Sequence, residues 1–260
     1  MKIRFVAIIT LCFIVVGVAV GFFQKDSYTD IGATYGYSYF TIGLITENLA
    51  EMVVNQYRQE LSEWEDRVAE GETAPIEYVS DPDDLEEENI MKKAEVRSNI
   101  NYIIRVKAVE EPEFKFLRTA QKVEIQQVYG GEGIQVGDTI EVMVSGNALF
   151  FEDEESTTQS HINVGFANKM EVGKDYLVFL NRKLVSLDNS EIIYVSPEMI
   201  FTGIFAYEEK ENKIVDSITE SGHFAKYTDV KDNEFFAASE EALNYLLDLK
   251  KELIEKYPMD

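Results

Sequence analysis

Apolar positions in this chain follow three periods, and each period predicts a different kind of element. Phe5 to Phe23 is uncharged over 19 residues. As a helix rising 1.5 Å per residue, such a run covers about 28 Å, close to a hydrocarbon core of about 30 Å. It predicts a transmembrane helix.

From Thr46 to Glu70 the period changes to three and four. Leu49, Val53, Tyr57, Leu61, Trp64 and Val68 line one stripe, with Glu60, Glu63 and Arg67 assigned to the remaining surface. Thr46 suits an N-cap, Glu47 suits the first turn, and Gly71 falls where a helix ends. A long amphipathic helix is expected, its stripe packed on the following domain or, alternatively, on a partner helix. Ser239 to Tyr257 has the same period. Ser239 and two glutamates stand at its start and Lys250, Lys251 and Lys256 toward its end. Leu243, Leu246, Leu247, Leu249, Leu253 and Ile254 give it a broad apolar face, so a C-terminal helix docked on the preceding domain is expected.

Between these helices the period falls to two. Tyr102, Ile104, Val106 and Ala108 alternate with Ile103, Arg105 and Lys107. Val123, Ile125 and Gln127 alternate with charged or polar neighbours, and so do Ile140, Val142 and Val144. Tyr176–Leu180 is almost wholly apolar, and Ile192–Val195 and Met199–Tyr207 continue the theme. Six short runs separated by turn signals predict an antiparallel sheet or small barrel. The turns fall at Gly130-Gly131-Glu132-Gly133, Val136-Gly137-Asp138 and Met170 to Asp175.

The remaining segments connect. Gln24 to Gly43 is rich in Tyr and Gly, and reads either as an interfacial aromatic belt or as a spacer packed on the next domain. Glu72 to Pro82 reads as a linker, and Asp83 to Lys93 as a short acidic helix. The expected organisation is a signal anchor at 1–23, a juxtamembrane segment at 24–45, a helical region at 46–93 and a β domain with its C-terminal helix at 94–260. The fold class is α+β.

The β-rich portion resembles a known fold family. Its signature is the entry Ala94-Glu95, two strands, a Gly-rich turn, and then Ile134-x-Val136-Gly137-Asp138-Thr139-Ile140-Glu141-Val142. Met170-x-Val172-Gly173-Lys174-x-Tyr176-Leu177-Val178-Phe179-Leu180 follows. Over roughly 94–207, less than half of the chain, this is similar to the OB-like barrel of bacterial envelope proteins akin to the netrin and tissue-inhibitor-of-metalloproteinase type. The resemblance implies an antiparallel OB-like β-barrel and an envelope setting. Metalloproteinase inhibitors of that type use an amino-terminal Cys-x-Cys wedge on the protease zinc. This chain lacks it, so inhibition does not carry over.

Charge gives the anchor a direction. Lys2 and Arg4 precede the apolar run, and Asp26 and Asp30 follow it, so the positive-inside bias places the bulk outside the cytoplasm. A retained signal anchor fits the length of the run best. A signal peptide cleaved near Ala19-Val20-Gly21, which would release a secreted form, and a lipoprotein anchored at Cys12 are the alternatives. Gly17 and Gly21 have the GxxxG spacing through which a homodimer would form. Cys12 is the single cysteine, so the exported part has no disulfide, zinc thiolate or cysteine nucleophile. After residue 23 there are 22 bases and 48 acids, a net charge of −26. That balance disfavours nucleic acid and favours cations or basic partners.

Candidate chemistry is sparse. His161 and His223 are the two histidines, beside Ser160 and near Ser221, and both read as solvated loop residues. No G-x-S-x-G, H-E-x-x-H or Walker loop is present. The acidic runs Asp81 to Glu88 and Glu152 to Glu155 are candidates for calcium, though without the EF-hand glycine they read first as solvated surface. No catalytic residue, cofactor or metal ligand is assigned. The expectation is a membrane-anchored, non-catalytic binding module of the cell envelope. Its expected partner is another envelope protein or a basic protein. The alternative is an extracellular hydrolase using two carboxylates about 5–10 Å apart.

Overall fold

A computed structural model describes residues 41–71, 100–115, 118–144, 161–162, 165–185, 192–197, 199–215, 218–219 and 222–259. In chain order the first elements are β1 (Thr41–Gly43), α1 (Glu47–Ala69), β2 (Tyr102–Ala108), β3 (Glu113–Lys115), β4 (Arg118–Gly130) and β5 (Thr139–Val144). Next come β6 (His161–Ile162), β7 (Asp175–Leu180), β8 (Arg182–Val185), β9 (Ile192–Val195) and β10 (Ile204–Ala206). The last are β11 (Ile218–Thr219), β12 (Gly222–Lys226), α2 (Tyr227–Val230) and α3 (Glu240–Lys256). The fold class is α+β, with a mixed, mostly antiparallel sheet.

The larger sheet has the order β10-β7-β2-β4-β5-β9-β8, with β3 on β4. β7 and β8 are separated by Asn181 alone. β7 pairs with β2 and β8 with β9, so the strand path returns to where it began. Asn181 N–H donates to Val195 O at 2.8 Å, and Asn101 N–H donates to Leu180 O at 2.9 Å, on either side of this junction. β4 is long enough to serve two neighbours. Its first part pairs with β5 and its second with β2, with register shifts at Ile103/Ile104 and Arg105/Val106 that increase the local bend. One pairing departs from the expected antiparallel pattern: β5 and β9 run parallel, joined by a crossover rather than a hairpin.

Side-chain alternation sends the two faces of these strands into two cores. Ile104, Val106, Val123, Ile125, Val142, Tyr176, Val178 and Leu180 fill one. Ile103, Leu177 and Phe179 point the other way, against α1 and α3. β7 is buried on both faces, which explains its near-continuous apolar sequence. Within the second core Tyr57 of α1 meets the rings of Phe179, Phe201 and Phe205 edge-on at 5.7, 6.2 and 5.8 Å. Gly203 makes this approach possible, because a Cβ there would lie 2.6 Å from the Tyr57 hydroxyl.

The two long helices start and stop close to where the sequence predicts. Ser239 Oγ accepts from Ala242 N–H at 3.1 Å and caps α3. Thr46 precedes α1 but makes no side-chain cap. α3 packs on α1 as well as on the sheet, with ion pairs Arg58–Glu252 at 2.9 Å and Lys256–Glu65 along the seam. Two surface assignments on α1 are corrected. Glu60 is buried, because it stands one turn from Tyr57 on the inner side. Arg67 is half-buried and donates to Ile100 O at 3.0 Å and Asn101 Oδ1 at 3.1 Å.

The Tyr- and Gly-rich segment ends inside the domain. Ile42, Leu44 and Ile45 are buried, and β1 lies between β12 and β6 in a second, four-stranded sheet of order β11-β12-β1-β6. β1 and β6 form the second parallel pair. The expected continuous strand at Met199–Tyr207 is only Ile204–Ala206, since Phe201 turns into the core ahead of Gly203. No described helix is long and apolar enough to cross a membrane. The Phe5–Phe23 run, Gly17 and Gly21, the 72–99 connection and its Asp83–Lys93 helix lie outside the described residues.

Candidate functional site

A groove of about 340 Å³ opens where the last turns of α1 face the end of β4 and the turn after it. It is lined by Trp64, Val68, Val128, Tyr129, Gly130, Gly131 and Glu132. This volume is at the lower end of the roughly 300–1,000 Å³ typical of ligand pockets.

Each wall is positioned from a different direction. Trp64 is the last large apolar residue of the α1 stripe and the single tryptophan of the chain. Its six-membered ring lies on Gly130, where any Cβ would fall within the van der Waals envelope of Cζ2. The sequence marks Gly130-Gly131 as a turn; the structure shows that glycine is also needed there to seat an indole. Gly131 has φ +105° and lies against Tyr102, so it meets both demands, a left-handed backbone and a close approach. Tyr129 is held by its hydroxyl, which donates to Pro258 O at 2.5 Å and lies 2.9 Å from the Tyr207 hydroxyl. Tyr207 in turn donates to Tyr257 O at 2.8 Å, and the Tyr129 and Tyr257 rings are 5.3 Å apart. Burial first, and then the contact with Tyr129, pushes the Tyr207 hydroxyl above the ordinary phenol range. Burial does the same to Tyr257. Both phenols stay protonated at neutral pH, and Tyr207 braces the Tyr129 wall through its hydroxyl.

The groove presents an aromatic and aliphatic surface with one carboxylate and no nucleophile–base pair among its lining residues. It can hold an organic side chain. A glycosidase-type pair of carboxyls is not assembled in it.

The sequence candidates lie elsewhere. His161 is in β6 opposite Thr41, and His223 is in β12 opposite Ile218, with its carbonyl accepting from Leu44 N–H. Both are strand residues rather than loop residues, and β1 lies between their strands, so they do not come together. Ser160, Ser221, Asp81 to Glu88 and Glu152 to Glu155 lie outside the described residues. Among the described residues no three His, Cys, Asp or Glu side chains are grouped to hold a metal.

Two charged clusters escape sequence reading. Lys210 Nζ donates to Glu171 Oε1 at 2.6 Å and lies 3.4 Å from Tyr176 Oη. That oxygen also accepts from Glu171 N–H at 2.8 Å. The Lys210 hydrogen bond holds Glu171 below the usual carboxylate range. Tyr176 is buried while Glu171 is about half exposed, and their contacts brace the Met170–Asp175 turn. The second cluster pairs Glu234 with Lys250 at 2.5 Å, the two side chains being 5% and 11% exposed. Glu234 also accepts from Ala206 N–H at 2.8 Å, which covers a donor on the free edge of β10. Lys250 donates to Glu208 O at 2.9 Å. Burial pushes the Glu234 carboxyl up against the opposing pull of Lys250.

Fold and groove together define an α+β protein with a ring-closed strand path and a small groove lined in part by aromatic residues. Neither a protein-family model nor a curated protein matches the chain.

Proposed function

We propose that this chain is a membrane-anchored, extracytoplasmic binding module of the cell envelope, built on an OB-like barrel and without a catalytic role. The groove carries this reading. Its lining combines Trp, Tyr and Val side chains with a single carboxylate, and aromatic residues of this kind are enriched at protein recognition surfaces. Strand order supports the OB-like assignment. An OB barrel is a five-stranded Greek key. β2, β4, β5, β7–β8 and β9 supply five strands in that chain order, and the parallel β5–β9 pair makes the crossover. The anchored setting rests on the uncharged Phe5–Phe23 run behind Lys2 and Arg4.

Site-specific photo-crosslinking in intact membranes tests the reading. A crosslinking residue at Val68, in the groove, is expected to form a covalent adduct with another envelope protein. The same residue at Val136, exposed on the β4–β5 turn and outside the groove, is expected to form none. Absence of an adduct at position 68, or recovery of the full-length chain in the soluble cytosolic fraction, overturns the proposal.

A further inference from the structure

We infer that Arg105 on β2, with Lys107 beside it, is a binding site for a single carboxylate group. Neither residue lines the groove, so this is a second site and stands independently of the first.

The argument starts from a hydrogen-bond deficit. A guanidinium is a planar fork of N–H donors, and buried donors ordinarily have acceptors. The Arg105 side chain is only 18% exposed, and its Nε is enclosed without a hydrogen-bond partner. Among the described residues its one close polar contact is Asp175, whose Oδ1 lies 3.6 Å from Nε. That separation is too long for a hydrogen bond. Asp175 is also shared, since Lys107 Nζ lies 4.0 Å from its Oδ2. Lys210 and Lys250, whose side chains are 13% and 11% exposed, meet their carboxylates at 2.6 and 2.5 Å, so Arg105 stands apart from cations of similar burial. Alternation puts Arg105 and Lys107 on one face of β2, with Ile104 and Val106 on the other. Across the ladders Arg105 faces Gln127 on β4 and Leu177 on β7, neither of them acidic. Glu124 is opposite Lys107, and its Oε1 accepts from Gln126 at 3.0 Å. A carboxylate suits this site because its two oxygens match the guanidinium fork. Lys107, 41% exposed, adds a second positive charge. A single carboxylate is favoured over a polyanion, which a protein of net charge −24 repels.

Nuclear magnetic resonance of the full-length chain, labelled with 15N-arginine and held in detergent micelles, tests the site. Sodium propionate is titrated against sodium chloride at constant ionic strength, with propionamide as the uncharged control. A saturable shift of the Arg105 Nε–H resonance is expected with propionate only. Arg105→Lys keeps the charge and removes the fork, and is expected to weaken propionate binding about tenfold. Lys107→Gln, at a more exposed side chain, keeps the inference testable where Arg105→Lys fails to fold, and is expected to weaken binding about two- to fivefold. No saturable shift in the wild type overturns the inference, and so does an equal shift with chloride or with propionamide. Undiminished propionate binding by a folded Arg105→Lys, or by Lys107→Gln, also overturns it. Crosslinking at Val68 is unaffected by any of these results, so the binding-module reading is judged separately.

Discussion

Lys250→Met isolates the energetics of the buried ion pair that joins α3 to the sheet. The methionine fills a similar volume but removes the ammonium that faces Glu234, a residue only 4% exposed. Glu234 then keeps Ala206 N–H as its hydrogen bond, and Glu208 O loses its lysine donor. Breaking a buried pair from one side costs about 3–5 kcal/mol, because the remaining charge is left without compensation. For a domain of this size each kcal/mol lowers Tm by about 2–4 °C, so a fall on the order of 6–20 °C is expected. Glu234→Gln placed in the same chain should recover most of it, since the amide oxygen still accepts from Ala206 while the buried charge is gone. The pH dependence gives a second, independent check. Burial raises the Glu234 carboxyl above its unfolded value. A raised pKa stabilises the fold fully below the unfolded pKa, and that contribution is lost as pH rises through the folded pKa. Without Lys250 the folded value rises further, so the Lys250→Met deficit should shrink on acidification into the upper carboxylate range. Urea unfolding followed by circular dichroism at neutral and mildly acidic pH measures both quantities. A deficit below about 1 kcal/mol, or one that grows with acid, would refute this account of the pair.

Three further substitutions probe separate features. Gly130→Ala forces Trp64 off its seat and is expected to cost about 1–3 kcal/mol. Its signature is red-shifted Trp64 emission in the still-folded protein, and an unchanged spectrum would contradict the packing described. Tyr257→Phe removes a buried hydroxyl with no hydrogen-bond partner among the described residues. Chemical denaturation should therefore show stability unchanged or raised by up to about 1 kcal/mol, whereas a loss of 2 kcal/mol or so would reveal a partner for that hydroxyl. Ser239→Ala deletes the α3 cap and should lower unfolding free energy by about 1 kcal/mol, while Thr46→Ala, lacking a cap bond to lose, should change it by a few tenths at most.

Much of the fold is legible where burial has a single direction. β2 and β5 alternate because one set of their side chains fills one core, and α1 and α3 show helical stripes because each covers one side of the sheet. Legibility fails where pairing, rather than burial, makes the strand. β8 reads Arg-Lys-Leu-Val, with Lys183 and Leu184 both exposed, and it is a strand because β9 lies beside it. β1 is three residues within a glycine-rich stretch, and neighbours from distant parts of the chain hold it extended. The parallel β5–β9 pair is likewise invisible to a pattern that records alternation but not direction.

The groove illustrates a different limit. Its two halves are each readable: Trp64 sits on a helical stripe and Gly130-Gly131 at a turn. What joins them is steric. An indole at the end of α1 needs a partner without a side chain, and the fold brings Gly130 there. The buried pair follows the same logic with opposite chemistry. Glu234 and Lys250 look like surface residues taken singly, and burying either alone would be costly. They are tolerated together because each also has a backbone partner, Ala206 N–H for the carboxylate and Glu208 O for the ammonium. Glycine against indole and acid against base are pair properties, and single-residue pattern has no means of recording them. A sequence reading therefore recovers layers and periods, while the contacts that distinguish this surface come from complementarity between positions remote in the chain.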